Sequence, residues 1–86
     1  MEGIRIGEIT HYYNQINVAV IYLSGTIRIG DVIHILGRTT DYRQNVTSLQ
    51  IEHQSIEEAS PSQEVALKVT RRVRRGDKVF KLTGEN

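Results

Sequence analysis

A short pattern that occurs twice constrains this chain most: basic residues, then Gly-Asp, then a run rich in β-branched residues. The first copy lies in residues 25–36 (GTIRIGDVIHIL), and the second in residues 73–80 (VRRGDKVF). Glycine adopts positive φ at little cost, and Gly and Asp are both frequent in turns. β-branched residues favour extended structure. Each copy therefore predicts a tight turn that starts a strand.

Hydrophobic periodicity predicts six short strands and no helix, because no segment sustains a 3.6-residue period. Residues 37–44 contain turn formers without an apolar period, which predicts a loop, and residues 56–59 allow at most a brief helical turn. The predicted strands cover residues 4–10, 16–23, 32–36, 45–53, 64–70 and 78–82.

Two interruptions of the strand pattern predict β-bulges. Gly7 separates Ile6 from Ile9, so a bulge there would turn Ile9 back into the core. Val46 is out of phase with Leu49, which predicts a second bulge near residues 47–48. Bulges and glycine turns supply the curvature of a barrel, and closure removes exposed sheet edges. The predicted fold is therefore all-β, a small six-stranded antiparallel β-barrel that forms one domain over residues 1–86.

Composition excludes several classes of protein. The chain has no cysteine, so it has neither a disulfide framework nor a cysteine-based zinc site. Its first residues lack the order of charged, apolar and small residues that marks a secretory signal. Its longest apolar run, residues 18–23, is too short to span a bilayer. These features predict a soluble cytoplasmic protein.

Charge is divided sharply between two segments. Residues 68–81 hold seven basic residues and one acidic residue, a net charge of +6, whereas residues 52–64 carry a net charge of −4. Arginine and lysine in a turn suit phosphate contacts to RNA. The alternative is a solvated turn and edge strand whose charges prevent edge pairing. The candidate RNA-binding residues are Lys68, Arg71, Arg72, Arg74, Arg75 and Lys78.

Aromatic, histidine and carboxylate residues give weaker signals. Tyr12 and Tyr13 could stack on unpaired bases, or they could form part of the core. Glu57 and Glu58 are adjacent in a polar segment and have no nucleophile with a base nearby in sequence, so we expect no enzyme and no cofactor. Three histidines lack the paired spacing of metal ligands, which predicts no metal site: His11, His34 and His53. His34 is expected on the outer face of the barrel.

The ordered set of segments resembles the β-barrel of translational GTPases, the second domain of elongation factor Tu. The chain is most similar to a stand-alone translation elongation factor-like barrel, and a similar module is appended to some collagenase-like peptidases. Five segments that span residues 4–82 carry the resemblance: residues 6–11, 26–33, 46–50, 58–59 and 73–79.

The chain departs from that family at two places. Ser62 and Ala66 stand where family barrels carry glycines, close to the pocket for the aminoacylated tRNA end in elongation factor Tu. No phosphate loop is present, because Asp31 stands where the lysine after the second glycine would be needed. The resemblance therefore gives no basis for GTP binding.

Two functions follow as expectations. The first is a non-enzymatic, translation-factor-like barrel that binds ribosomal RNA or tRNA through the basic turn at residues 68–81. The alternative is a protein–protein interaction module that docks on a partner enzyme or translation factor. That alternative depends on the apolar strand 16–23 and the acidic loop 52–64.

Overall fold

A computed structural model describes residues 3–82, and this part of the chain is all-β without a helix. Residues 1–2 and 83–86 of the predicted domain lie outside the described residues. Residues 3–82 therefore contain no candidate membrane-spanning helix. The strands are β1 (Gly3–Tyr13), β2 (Val18–Leu23), β3 (Ile27–Arg28), β4 (Val32–Leu36), β5 (Asp41–Asn45), β6 (Gln50–Ile51), β7 (Gln54–Ser55), β8 (Glu58–Ala59), β9 (Glu64–Lys68) and β10 (Lys78–Leu82).

The sheet order corrects the predicted six-stranded closed barrel. Eight strands form one open antiparallel sheet in the order β5-β4-β10-β1-β2-β9-β6-β7, and β3 pairs with β8 in a separate two-stranded sheet. The predicted loop 37–44 contains most of β5, which pairs with β4 along its whole length. The predicted strand 45–53 is instead divided among the last residue of β5, an irregular segment, β6 and a turn. The predicted helical turn at 56–59 contains β8.

Gln44 explains why β5 is a strand although its sequence lacks apolar alternation. The buried Gln44 side chain donates from Nε2 to the Lys68 carbonyl oxygen at 2.9 Å and accepts from the Thr70 backbone N–H at 2.9 Å. A polar side chain thus joins one edge strand of the sheet to the segment that follows β9. Tertiary hydrogen bonds of this kind override a weak local pattern.

The two Gly-Asp copies form matching turns, which confirms the prediction from their repetition. In the first, Arg28 N donates to Asp31 Oδ2 at 3.0 Å, and Asp31 N donates to the Arg28 carbonyl at 3.1 Å. In the second, the corresponding Arg74–Asp77 distances are 2.8 and 3.0 Å. The glycine at the third position of each turn has φ near +95°, and β4 and β10 begin directly after the aspartates.

The bulge predicted near Gly7 is confirmed by a register shift between Arg5 and Gly7, and both Ile6 and Ile9 are buried. The bulge predicted near residues 47–48 is not found, because residues 46–49 form an irregular segment between β5 and β6; Val46 and Leu49 are both buried there. The core is aliphatic and contains Ile6, Ile9, Ala19, Ile21, Leu23, Ile27, Ile33, Ile35, Val46, Leu49, Ala59, Val65, Leu67, Val69, Val73 and Val79.

Candidate functional site

Strand β2 is apolar on both faces, and its outer face forms the floor of a groove. Ala19, Ile21 and Leu23 alternate into the core and are fully buried. Val18, Val20 and Tyr22 therefore point outward, since successive side chains of a strand lie on opposite faces. Tyr22 remains 46% exposed, so no other element of the described chain covers this face completely.

The register of the neighbouring strands arranges this outer face in three rows across β1, β2, β9 and β6. Rows on one face of a strand lie two residues apart, about 7 Å. The first row is Glu8, Tyr22 and Glu64; the second is His11, Val20, Ala66 and Gln50; the third is Tyr13, Val18 and Lys68.

Two connected depressions run along these rows, and we name them together the β2–β9 groove. The larger, about 630 Å³, has Val20, Tyr22 and Ala66 in its lining. The second, about 420 Å³, reaches Tyr13 and Ile16, which are 48% and 58% exposed. Both depressions share the residues Val20, Gln50, Glu52 and Ala66. The floor is small and apolar, whereas the ends carry larger exposed side chains.

Three residues with unusual backbone conformations lie in the groove lining. In residues 3–82, the non-glycine residues with positive φ are Asn17, Glu52, His53 and Ser62. Glu52 and His53 form the two-residue turn between β6 and β7, and the groove lining includes both of them and Ser62. Such conformations cost about 1 kcal/mol or more each and cluster at functional sites. Ser62 occupies a position where the resembled barrels carry glycine, and its φ of 75° explains that preference.

The groove is acidic at the end that holds Tyr22. Glu52 and Glu64 are exposed in its lining, and within residues 3–82 neither carboxylate has a cationic nitrogen within 4 Å. The neighbouring Glu8 differs, because Arg5 Nη2 lies 3.1 Å and Lys78 Nζ 3.5 Å from its Oε1. Lys68 lies just beyond the opposite end of the groove, across from Val18, and lines a further hollow of about 220 Å³.

The structure distributes the predicted basic residues over several surfaces. Arg71 lies with its guanidinium 5.9 Å from the Tyr42 ring centre, and Arg74 Nε donates to Thr39 Oγ1 at 2.9 Å. Lys78 Nζ donates to the Gly76 carbonyl oxygen at 3.1 Å besides its contact with Glu8. Lys68 lies just beyond the end of the groove. Of the six candidates, only Arg72 and Arg75 are exposed residues of the connecting segment whose side chains make no hydrogen bond, ion pair or cation–π contact among residues 3–82.

The two candidate stacking tyrosines lie on opposite faces of β1. Tyr12 packs against the core, and its hydroxyl donates to Asn17 Oδ1 at 3.4 Å. Tyr13 is exposed, with its ring centre 4.2 Å from that of His11 at the end of the groove. Tyr12 also lies near Tyr42, whose pKa is raised above its ordinary value, chiefly because burial disfavours the phenolate. The tyrosines therefore do not form one stacking platform.

Within the described residues, the histidines and the pair Glu57 and Glu58 form neither a metal site nor a catalytic arrangement. His34 lies on the outer face of β4, as expected, with Nε2 2.6 Å from Asp41 Oδ1. No group of three His, Cys, Asp or Glu residues within 3–82 is placed to hold a metal ion. Glu57 is exposed, and Glu58 lies in β8 with Oε1 3.9 Å from Arg28 Nη2.

Sequence reasoning missed Val20, Tyr22, Ala66 and Gln50 as a site. One signal was present, because the strand 16–23 has apolar side chains for both faces. The acidic segment 52–64 was also visible, but its position beside that strand depends on the pairing of β2 with β9 and of β9 with β6. Only the sheet register brings the two features together.

No family model matches the chain, but curated proteins are similar to it. Over 80 residues, 92% of the chain, it is 39% identical to an uncharacterized protease of Methanocaldococcus jannaschii. Over 82 residues, 93% of the chain, it is 34% identical to a collagenase of Porphyromonas gingivalis. The chain spans about a fifth of the length of each of these relatives, 20% in both cases.

Solved structures show the same fold. The chain matches the C-terminal domain of a Geobacillus thermoleovorans protein described as a U32 peptidase, with a TM-score of 0.86 and 21% identity, over 91% of both chains. The selenomethionine variant of that domain matches with a TM-score of 0.85, over 90% of this chain and 98% of the domain. This likeness establishes the fold of the chain.

These relatives correct the functional expectations. The similar proteins are named as proteases or collagenases and not as translation factors, so the translation-factor assignment and the RNA-binding function derived from it are wrong. The expected docking module for a partner enzyme or translation factor is corrected by the same relatives. The expectation that the chain is not an enzyme is contradicted too, because the similar proteins are named as proteases or collagenases. These relatives support the resemblance to a module of collagenase-like peptidases.

Proposed function

We propose that this chain is part of a peptidase of the protease and collagenase type, and that its β2–β9 groove holds an extended stretch of polypeptide substrate. The relatives support the peptidase connection, because their similarity covers more than nine tenths of the chain. The single observation that carries the binding role is the groove itself, an apolar floor on the outer face of a strand that is buried on its other face.

The shape of the groove suits an extended chain. Its floor side chains recur at the two-residue spacing of a strand, about 7 Å. An extended peptide presents alternate side chains at the same spacing, so one apolar residue can meet Val18 and the next can meet Val20 and Ala66, which lie in one row. Small floor residues leave depth, and Tyr22 and Tyr13 supply large, rigid contact surfaces at the two ends.

The strained turn at Glu52 and His53 supports the same assignment. This turn forms one wall of the groove, and both residues hold left-handed backbone conformations that glycine or asparagine would adopt more easily. A turn kept in this conformation places specific side chains at the wall. A purely structural hairpin would gain stability from Asn-Gly at these positions.

The test measures binding of the full chain to fluorescein-labelled gelatin fragments by fluorescence anisotropy, and compares it with three variants. Ala66→Arg places a long side chain on the groove floor and is expected to weaken binding at least tenfold. Tyr22→Ala removes one aromatic contact, and we expect a loss of about three- to tenfold, as is common for interface aromatics. Leu36→Ala, an exposed residue on the outer face of β4, is the matched control and is expected to bind as the wild type.

Circular dichroism melting of each variant ensures that a change in binding does not reflect unfolding. All three positions are partly exposed on strand surfaces, so we expect each free energy of unfolding to change by about 1 kcal/mol or less. Saturable binding by the wild type that Ala66→Arg abolishes supports the proposal. Equal binding by Ala66→Arg and the wild type, or no binding by the wild type, overturns it.

A further inference from the structure

We propose that the β2–β9 groove selects polypeptide segments by charge: a basic side chain at the Tyr22 end, an apolar side chain in the middle and an acidic side chain at the Lys68 end. The basic and acidic residues lie four positions apart. This inference rests on the proposed function, since it specifies the chemistry of the substrate that the same groove accepts.

The acidic end is suited to a lysine or arginine. Glu64 flanks Tyr22 in the first row, and Glu52 extends from the β6–β7 turn over the same depression. Neither carboxylate has a cationic partner within 4 Å among residues 3–82. The Glu64 carboxylate accepts a long hydrogen bond at Oε2 from the Thr10 hydroxyl, at 3.5 Å. Both carboxylates are therefore available for a ligand cation, and the exposed Tyr22 ring can contact its aliphatic stem.

The opposite end carries the reverse charge. Lys68 ends β9 in the third row, directly across from Val18. Within the described residues, no carboxylate oxygen lies within 4 Å of Lys68 Nζ, whereas Lys78 and Lys81 each have an acidic neighbour within that distance. An acidic side chain of the ligand would meet Lys68 just beyond this end of the groove, a cation that has no acidic partner among residues 3–82.

The spacing of the rows sets the spacing of the ligand. The first and third rows are four residues apart along β2, about 14 Å for extended backbone. An extended peptide covers the same distance between side chains at positions i and i+4, with the side chain at i+2 over Val20 and Ala66. Side chains only two positions apart would span half of this distance and could meet only one charged end.

The experiment uses fluorescein-labelled nonapeptides with the full chain at low salt. The central five residues are Lys-Ser-Leu-Ser-Asp in the parent peptide. Single replacements change Lys to Gln or Asp to Asn, and a further peptide places Lys and Asp two positions apart. The protein variants are Glu64→Gln and Lys68→Gln, with Glu57→Gln and Arg75→Gln as controls of matching chemistry away from the groove.

Double-mutant cycles between the protein and peptide substitutions should show one specific coupling at each end of the groove. Glu64→Gln should weaken the parent peptide about two- to fivefold, the range for partly exposed ion pairs, and should not weaken the peptide that lacks lysine. Lys68→Gln should couple in the same way to the aspartate alone. The peptide with charges two positions apart should bind more weakly than the parent, and both control variants should match the wild type.

The outcomes separate this inference from the proposed function. Binding of all peptides that Ala66→Arg abolishes, without coupling to Glu64 or Lys68, overturns the charge selection and leaves the proposed groove intact. Absence of all peptide binding overturns both. Sedimentation equilibrium addresses another occupant: a dimer of the chain that Ala66→Arg dissociates would show that a second copy fills the groove, and that result also overturns the inference.

Discussion

The β2–β9 groove and the basic segment 68–81 place charge to opposite effect. In the basic segment, several charged groups have partners within the molecule. Arg74 donates a hydrogen bond to Thr39, Lys78 pairs with Glu8, and Lys81 Nζ lies 3.8 Å from Asp31. In the groove, carboxylates stand beside an uncovered apolar floor without cationic partners in the described part of the chain. Charge density along the sequence therefore indicates less about binding than charge left uncompensated beside apolar surface.

Gly37→Ala should produce the largest effect, and it should affect only the basic segment's side of this comparison. A methyl group at Gly37 would overlap the Asp77 carboxylate, which is buried and held by the Arg74 backbone N–H. We expect a loss of about 2–3 kcal/mol in the free energy of unfolding, the usual cost of overpacking. Urea denaturation measures this loss. Groove binding by the remaining folded protein should equal that of the wild type.

The double variant Gly37→Ala/Asp77→Ala is the control for that mechanism. Removal of the carboxylate relieves the overlap, so the effects of the two substitutions should not add. Additive losses would show that Gly37 is required for a reason other than contact with Asp77.

Asp77→Ala and Asp31→Ala compare the two Gly-Asp turns directly. Both remove an acceptor for a backbone N–H, but Asp77 is only 4% exposed, whereas the Asp31 side chain is 18% exposed. A buried unsatisfied donor costs about 1–3 kcal/mol, and water can replace part of that loss at a more open site. We expect about 2 kcal/mol for Asp77→Ala and about 1 kcal/mol for Asp31→Ala in urea denaturation. Equal losses would contradict the account of the second turn as the more buried one.

Tyr42→Phe tests the partly buried phenol whose ring lies 5.9 Å from the Arg71 guanidinium. Because the folded-state pKa of Tyr42 is raised, its neutral form is favoured by folding, and this contribution is complete below the unfolded pKa of about 10. It is lost as pH rises through the folded pKa. The wild type should therefore lose more stability than Tyr42→Phe between pH 9 and pH 11, as measured by urea denaturation at each pH. Parallel losses in the two proteins would refute this assignment.

Arg72→Gln combined with Arg75→Gln should have the smallest effect. Both residues are exposed, and neither side chain makes a hydrogen bond, ion pair or cation–π contact among residues 3–82. We expect a change in unfolding free energy within about 0.5 kcal/mol and unchanged binding of gelatin fragments. A large loss of binding would move the site to the basic segment and remove the contrast between the two regions.

Local chemistry made some elements predictable. The Gly-Asp turns, the bulge at Gly7 and the strand 78–82 were visible because glycine conformation and side-chain alternation act within a few residues. Strand β5 was not predictable in this way, because Gln44 is held by partners 24 and 26 residues away. The open eight-stranded sheet follows from such distant pairings.

The candidate site was predictable only in its separate parts. Strand β2 carries apolar residues for two faces, and the segment 52–64 carries four glutamates, both of which are evident in sequence. Their meeting depends on Val20 facing Ala66, and Ala66 facing Gln50 across β6. Cross-strand register is set by the complete sheet, so a reading of local patterns favoured the denser charge of the basic segment instead.

Amide chemical-shift mapping tests the central claim most directly, since a chain of 9.8 kDa suits two-dimensional NMR. A ¹⁵N-labelled sample would be titrated with the parent nonapeptide. The account predicts that the largest shifts lie in β2, β9 and the turn at residues 52–53, with small changes at residues 71–76. Largest shifts at residues 71–76 and at the β4–β5 turn, with β2 and β9 unchanged, would contradict it.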